Sequence, residues 1–397
     1  MSNVVLVSTK YPKGAGNEWL TNELAEYAAA QEHAVSVVVL SWDYDDGQTE
    51  NYTANDVDVF RVRLPAFFYY KNVFCAFLKI LLFSFYARLK TGHVLRQADV
   101  LIASTPCVAT WAFFTGRPLK AGAKSFLILW DFFPFYMNGL WGWKKVSFPF
   151  FLWVENYLYK KFDFIGCMTK GNKAFLLDKY RGIDPHRIVD LPLWTKQVPK
   201  PELSKQKARS MLGIDEKAFV VIYGGAMSVV QGLDCIVELA DRCREDRDIL
   251  FLMVGRGSER SRLQEKAAVL GLVNIRFVEF VPRNEYEAFV CASDLGLISL
   301  AASHQVPSFP SKSIDYLKVG LPILASLDTC TDFGNVLVED MQAGLWVEAG
   351  DIDALTASLY SLRSDSEQLA VYGKNGRSYY EKSMNVSVGY NNIFRFL

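Results

Sequence analysis

The chain has 397 residues, 51% of them apolar, which is more than one ordinary core holds and sets the expectation of two globular domains. Its 43 basic and 43 acidic residues cancel, which argues against a dedicated nucleic-acid binder, and the apolar share excludes a disordered chain. The seven cysteines (75, 107, 167, 235, 243, 291 and 330) include no Cys-x-x-Cys pair and fit reduced thiols acting as small buried hydrophobes.

The opening "MSNVVLVSTKYPKG" has a short apolar run with no basic flank, so no secretory signal is expected. No uncharged apolar run nears the roughly 18 residues of a spanning helix. "NVVLVS" predicts a buried strand, followed by Gly14 and Gly16, a helix through "EWLTNELAEYAAA" and a strand at "AVSVVVLS". "DVLIAS" with "TPCVATWAFF", and "SFLILW" with the segment after it, repeat the alternation. After "RIVDLPLW", the polar, proline-bearing stretch "TKQVPKPELSKQKARS" predicts an interdomain linker. The pattern then restarts with "FVVIYGG" and "LDCIVELADRC", "ILFLMVG" and "SERSRLQEKAAVLG", "IRFVEFV" and "EYEAFVCAS". "LGLISL", "VPSFPSKSIDYLKVGLPILAS" and "GLWVEA" complete it. Strand–helix alternation on both sides of a linker predicts two doubly wound α/β domains facing a cleft. The first is expected over 1–195 and the second over 196–377, with a C-terminal helix at about 378–397 packing back on the first.

Doubly wound sheets bind ligands beyond the carboxyl ends of their strands, so chemistry is sought there. After "FVVIYGG" stand Gly224, Gly225, Ser228 and Gln231, a turn whose amides suit a phosphate, although glycine at a strand end is common for packing alone. "MVGRGSERSR" offers Gly255, Arg256, Gly257 and Arg260. Neither it nor "GAGNEW" completes a Gly-x-Gly-x-x-Gly fingerprint, which weakens a nicotinamide dehydrogenase. In "VPSFPSKSIDYLKVGLPILAS", Pro310 sets the approach, Ser311 is the expected N-cap, and Gly320 with Pro322 ends a two-turn helix. The amides after Ser311 are expected to be free for an anion. Lys312, Asp315 and Lys318 share a face; Asp315 suits ribose hydroxyls, and the competing reading is a solvated Lys–Asp–Lys ladder.

These residues carry a resemblance. The glycine turn, "VGRGSER", "EFVPRNEYEAFVCASDLGLISL" and "PSKSIDYLKVGLPILAS", in that order, resemble glycosyltransferase family 4, of the GT-B fold, in its bacterial surface-polysaccharide branch (O-antigen, capsule, exopolysaccharide, lipopolysaccharide). "YPKGAGNEWLTNELA" and "ILWDFFP" are weaker matches that extend it over nearly the whole chain. The resemblance implies a C-terminal domain that binds a nucleotide-sugar, with Asp315 on ribose, Gly225 and Ser311 on the diphosphate, and Val281 and Pro282 beside the base. Gly16, Gly224, Ser228, Gln231, Arg256 and Lys312 complete the implied donor site. Three positions depart from the family pattern: Pro307 where many members have glutamate, Gln231 where many have lysine, and Arg256 at an often acidic site. Phosphate charge then falls to Lys312, Arg256, Arg260 or amides.

Asp131, after the strand "SFLILW", is the expected group for orienting or deprotonating an acceptor hydroxyl, against the alternative of a helix cap. Of the four histidines, His304 alone, in the loop leading to the donor helix, is placed near the donor as a second candidate catalytic group beside Asp131. "DYD" at Asp43–Asp45 is expected to be a loop rather than a metal site, and no His/Cys cluster has ligand spacing, so no metal cofactor is expected. From Val59 to Ala98 there is no acidic residue, while Arg61, Arg63, Lys71, Lys79, Arg88, Lys90 and Arg96 interleave with "FFYY" and "ILLFSFYA". Lys144 and Lys145 stand in a second aromatic zone. Such patterns suit the interface of an anionic membrane, with Lys71, Lys79, Arg88, Lys144 and Lys145 as contacts. The alternatives are core packing and RNA stacking, the latter without a recognition module.

The combined expectation is a retaining glycosyltransferase, hexosyl or N-acetylhexosaminyl, peripheral on the inner face of the cytoplasmic membrane. It would move a sugar from a nucleoside-diphosphate donor, UDP-sugar before GDP-sugar, to a lipid-linked saccharide, beside other assembly enzymes. Retention is implied by the resemblance alone. The rivals are a nucleotide-sugar epimerase of the same fold, disfavoured by the scarcity of histidine, and a catalytically silent membrane-bound subunit.

Overall fold

The computed structural model describes residues 2–14, 19–70, 72–115, 120–137 and 144–396. The chain forms two compact units, Met1–Lys196 with Asn385–Leu397, and Gln197–Met384.

The first unit is built on eight strands: β1 (Asn3–Ser8), β2 (Ala34–Leu40), β3 (Glu50–Ala54), β4 (Val57–Val62), β5 (Val100–Ser104), β6 (Lys124–Leu129), β7 (Phe164–Cys167) and β8 (Ile188–Asp190). Their order is β3-β4-β2-β1-β5-β6-β7-β8. All neighbours are parallel except the β3–β4 hairpin. The inner strands are continuous apolar runs because helices cover both faces, so alternation would bury polar groups. The hairpin turns on Asn55 and Asp56, both at positive φ, as a two-residue turn demands; the sequence analysis assigned nothing there. Val5, Val38, Leu40 and Leu101 form the core with Phe83 and Ala87 of the helix Val73–Leu95. "DYD" ends in a short turn, Tyr44–Asp46, in which Asp46 accepts the Asp43 amide at 2.7 Å.

The second unit has six parallel strands: β9 (Phe219–Gly224), β10 (Ile249–Val254), β11 (Ile275–Val278), β12 (Leu295–Ser299), β13 (Ile323–Leu327) and β14 (Gly344–Glu348). Their order is β11-β10-β9-β12-β13-β14, so chain direction around the sheet reverses between β9 and β12. In the first unit the same reversal falls between β1 and β5. Loops beyond the strand ends at such points are where this fold places ligands.

Two expectations change. The expected linker is helical over Lys205–Leu212, because Ser204 accepts the Lys207 amide at 3.2 Å and Gly213 supplies a left-handed stop. Arg209 anchors that helix through Ala292 O at 2.9 Å and Asp294 at 2.5 Å. The single helix expected at 378–397 is two. Ser366–Ser383 belongs to the second unit, and Val386–Phe394 to the first, started by Asn385 accepting the Ser387 amide at 3.0 Å. The latter helix seats Gly389 on Trp194 and places Tyr390 Oη 2.8 Å from His33 Nε2.

Candidate functional site

In the second unit, the loops after β9 and β10 lie backbone to backbone. The Gly225 amide donates to Val254 O at 3.0 Å and the Met227 amide to Arg256 O at 2.9 Å. A Cβ on Gly255 would stand 2.0 Å from Gly225 O, and one on Gly257 2.1 Å from Met227 O. Gly224 likewise has no room for a side chain, because the Tyr286 hydroxyl occupies that space, and its amide donates to Tyr316 Oη at 3.1 Å. The amides of Gly224 and Gly225 thus donate within the fold, and the glycines permit close contact between loops. Gly225 remains exposed at the strand end, and its missing side chain would sit 3.6 Å from Lys312 Cε.

Lys312 opens the helix Lys312–Val319, which buries Ser313, Ile314, Tyr316 and Leu317 and stops at left-handed Gly320. Ser311 does not cap it. It is itself helical, at φ −59° and ψ −23°, and the Pro310 carbonyl accepts both the Ser313 amide at 3.0 Å and the Ser313 hydroxyl at 2.7 Å. The first free turn is therefore shorter than expected. Lys312 Nζ donates to Gln231 Oε1 at 2.7 Å and lies 5.1 Å from the Tyr223 ring centre. Lys312 is half-buried, and desolvation pushes its ammonium down to about 8. Gln231 is in turn held by the Tyr223 hydroxyl, 3.1 Å from Oε1, and by Ser299 Oγ donating to its carbonyl at 2.7 Å. Lys318 pairs with Glu287, so each of the two lysines three residues from half-buried Asp315 has a partner outside the helix. Tyr223 was missed in the sequence because a tyrosine inside a strand carries no local mark.

The other expected donor residues surround this cluster unevenly. Ser228 begins the Val229–Gln231 turn and accepts the Gln231 amide at 3.0 Å through its carbonyl. Arg256 is exposed, its guanidinium 4.6 Å from the Phe280 ring centre. Arg260 is paired with Glu279 at 2.8 Å, so its charge is already met. Val281 is half-buried and exposed Pro282 starts the helix Arg283–Ala292. His304 Nε2 lies 2.9 Å from Ser308 Oγ, and burial holds the ring below its ordinary pKa, so it braces its own loop as a neutral group. Gly16 lies outside the described residues.

In the first unit, Asp131 follows β6 and is exposed, yet desolvation raises its carboxyl. Its amide and that of Trp130 donate to Thr105 Oγ1 at 3.1 and 3.2 Å, tying the ends of β5 and β6 together. The helix Lys144–Tyr159 buries Glu155 completely beneath this region. Glu155 is the one acid in the aromatic run "KKVSFPFFLWVENYLY", a mark legible in the sequence but not read there as a site.

Two expected membrane contacts point inward. Buried Lys79 donates to Trp42 O between the rings of Trp42 and Tyr69, and Arg88 donates to the carbonyls of Ala112 and Thr115. Lys71 lies outside the described residues, and for Lys144 and Lys145 only the backbone is described. The outward face is apolar: Phe74, Phe77, Leu81, Phe85 and Leu89 on one helix, and Phe150, Trp153 and Tyr157 on the other, are all exposed. These spacings of three and four residues place each set on one face of its helix. No described helix is long and apolar enough to cross a membrane.

Two Rossmann-like units, each with a switch point, define a GT-B-type protein, with the anion-suited lysine in the second. Comparison with known proteins sharpens this. Residues 204–379, within the second unit, match the family model of glycosyl transferases group 1. The chain is 24% identical over 185 residues to the putative colanic acid biosynthesis glycosyl transferase WcaI of Escherichia coli K12. That alignment spans 45% of this chain and 44% of the relative. Among solved structures, a sucrose-phosphate synthase from Thermosynechococcus elongatus superimposes with a TM-score of 0.76 at 15% identity, over 99% of this chain and 98% of its own. WaaG, a glycosyltransferase involved in lipopolysaccharide biosynthesis, gives 0.69 at 17%, over 97% of both chains. Anabaena HepE, solved with UDP and glucose, gives 0.70 at 15%, over 100% of this chain and 99% of its own. At these identities the solved structures establish the fold.

Proposed function

We propose that this protein transfers a hexosyl or N-acetylhexosaminyl group from a nucleoside-diphosphate sugar to a lipid-linked saccharide during surface-polysaccharide assembly. The observation that carries the reading is the half-buried Lys312 ammonium, held by Gln231 beside the strand ends of the second unit, where residues 204–379 match glycosyl transferases group 1. A diphosphate is the partner that such a charge lacks. Arg260 is ion-paired with Glu279 and Arg256 lies exposed over Phe280, so the leaving-group charge is assigned to Lys312, which Gln231 aims. Asp315 takes the ribose hydroxyls, one turn into the same helix. Val281 and Pro282 flank the base, and UDP is favoured over GDP by the UDP-bound neighbour.

In this scheme the bond from the anomeric carbon to the diphosphate oxygen breaks, and the developing charge meets Lys312. The acceptor oxygen bonds to the same carbon on the same face. Its proton passes to Asp131, whose backbone is fixed after β6 by the bonds of the Trp130 and Asp131 amides to Thr105 Oγ1. The scheme uses no metal.

The acceptor's lipid places the enzyme on the inner face of the cytoplasmic membrane. Supporting this, the two exposed apolar helix faces lie in a stretch without acidic residues from Val59 to Ala98 and on a helix whose one acid is buried. Exposed Lys90 and Lys161 flank them, with their ammonium groups over Tyr86 and Tyr157.

Calorimetric titration of UDP, GDP and ADP tests the donor reading. Selective binding of UDP is expected, weakened at least about tenfold by Lys312→Met and by Asp315→Ala. Equal, unchanged binding of all three in both variants would remove the assignment.

A further inference from the structure

Glu155 has no part in the scheme above, yet it is the most deeply buried acid near Asp131. It is 0% exposed. Its Oε2 accepts the Cys107 amide at 3.1 Å, and Oε1 accepts the Val108 amide. Those amides open the short turn Cys107–Ala109, which begins two residues after Thr105. Thr105 Oγ1 accepts the amides of Trp130 and Asp131, and the Thr105 amide donates to Ile128 O at 3.2 Å.

A second route reaches the same loop. Tyr159, one turn on from Glu155, stacks on Tyr180 with ring centres 4.8 Å apart. The Tyr180 hydroxyl donates at 2.7 Å to the carbonyl of Phe133, two residues beyond Asp131. Phe133, Phe151 and Val108 belong to one small core, with Tyr136 packed against it. The groups that face Glu155 from these elements are the Cys107 thiol, the Tyr136, Tyr159 and Tyr180 hydroxyls, and, through Tyr136, Asp131 itself. No cation is among them within the described residues.

We propose that Glu155 is a positioning residue, a buried proton latch that sets the order of the Asp131 loop through the Cys107–Ala109 turn. As a carboxylate it makes two charge-assisted bonds to the turn amides. When protonated it spends one oxygen on a hydroxyl, the bonds become neutral, and the turn loosens. Desolvation pushes this carboxyl up to about 7, opposed by the Val108 and Cys107 amides and the Tyr159 hydroxyl, so the latch works near neutral pH. The inference rests on Asp131 as the group that handles the acceptor, but its test does not.

The test is a pH titration of backbone amide resonances on the full chain, from pH 5.5 to 8.5. In the wild type, the amides of Cys107, Val108, Trp130 and Asp131 are expected to share one transition with a midpoint near 7. In Glu155→Gln, confirmed as folded by its thermal melt, that transition should vanish from all four. Titration of Cys107 and Val108 without Trp130 and Asp131 would overturn the coupling. A shared transition that survives in Glu155→Gln would assign the proton to another group and overturn the proposal. If Glu155→Gln does not fold, the wild-type amides decide alone. Nucleotide binding by the second unit should be unchanged in the variant; its loss in the wild type would touch the functional reading and leave the latch intact.

Discussion

Lys312 is the residue whose chemistry can be read most directly. Its folded-state pKa is depressed to about 8 from an ordinary 10.5, so the folded chain holds fewer protons than the unfolded chain between those values. Stability from this group is therefore present above about pH 10.5 and is lost as pH falls through about 8. A bound diphosphate reverses the sign by favouring the charged form. Nucleotide binding above pH 8 should take up a proton, and affinity should weaken by up to about tenfold per pH unit there. Calorimetry at pH 8.5 in two buffers of different ionisation enthalpy reads that proton directly. Equal binding heats in both buffers would mean that Lys312 is not the anion's partner. The same residue shows what sequence could carry. The lysine, its helix and its glycine stop were legible from "PSKSIDYLKVG", but its burial was not. Burial depends on Tyr223 and Gln231, which arrive from a strand and a turn some 80 positions away.

At the scale of elements, strand and helix order was legible because apolar runs and amphipathic spacings repeat over the whole chain, and the two sheets follow that order. What sequence concealed were choices made by single hydrogen bonds. Ser311 looked like a cap, but the Pro310 carbonyl won the first turn; Ser204, inside a supposed linker, started a helix instead. The glycine turns are ambiguous for a related reason. A glycine needed for anion contact and one needed for loop contact look alike in sequence; at Gly255 the loop contact shows in the 2.0 Å at which a Cβ would meet Gly225 O. Gly255→Ala therefore tests packing. At φ +142° an alanine is strained as well as crowded by backbone that cannot swing away, so a loss on the order of 3 kcal/mol is expected. A urea midpoint unmoved from wild type would show that the two loops part without cost, and that the amides of the β9 turn are available after all.

For the whole molecule, the decisive feature is which side of the first unit's helices meets the surroundings. Basic residues in an aromatic run suggested cationic contacts, yet Lys79 and Arg88 spend their donors on carbonyls and leave phenylalanines outside. Sequence periodicity could not decide this, because Val73–Leu95 is apolar nearly all round and has no polar face to mark the outside. The faces differ only in what packs beneath them: Cys75, Ile80, Phe83 and Ala87 are covered, while Phe74, Phe85 and Leu89 are not. An apolar surface of this kind in a stretch free of acids fits a lipid interface, where aromatic rings sit at headgroup depth and flanking lysines reach phosphates. The prediction differs from the one that charge alone would make. Phe74→Ser, Phe85→Ser and Trp153→Ser together should reduce cosedimentation with anionic vesicles by at least about tenfold, since each ring withdraws part of a 1.5–3 kcal/mol burial term, roughly. Lys79→Ala should instead lower the melting temperature, because it removes a buried donor from Trp42 O. Undiminished cosedimentation of the triple variant, with its UDP binding intact, would take the membrane out of the proposal and leave these faces to another partner.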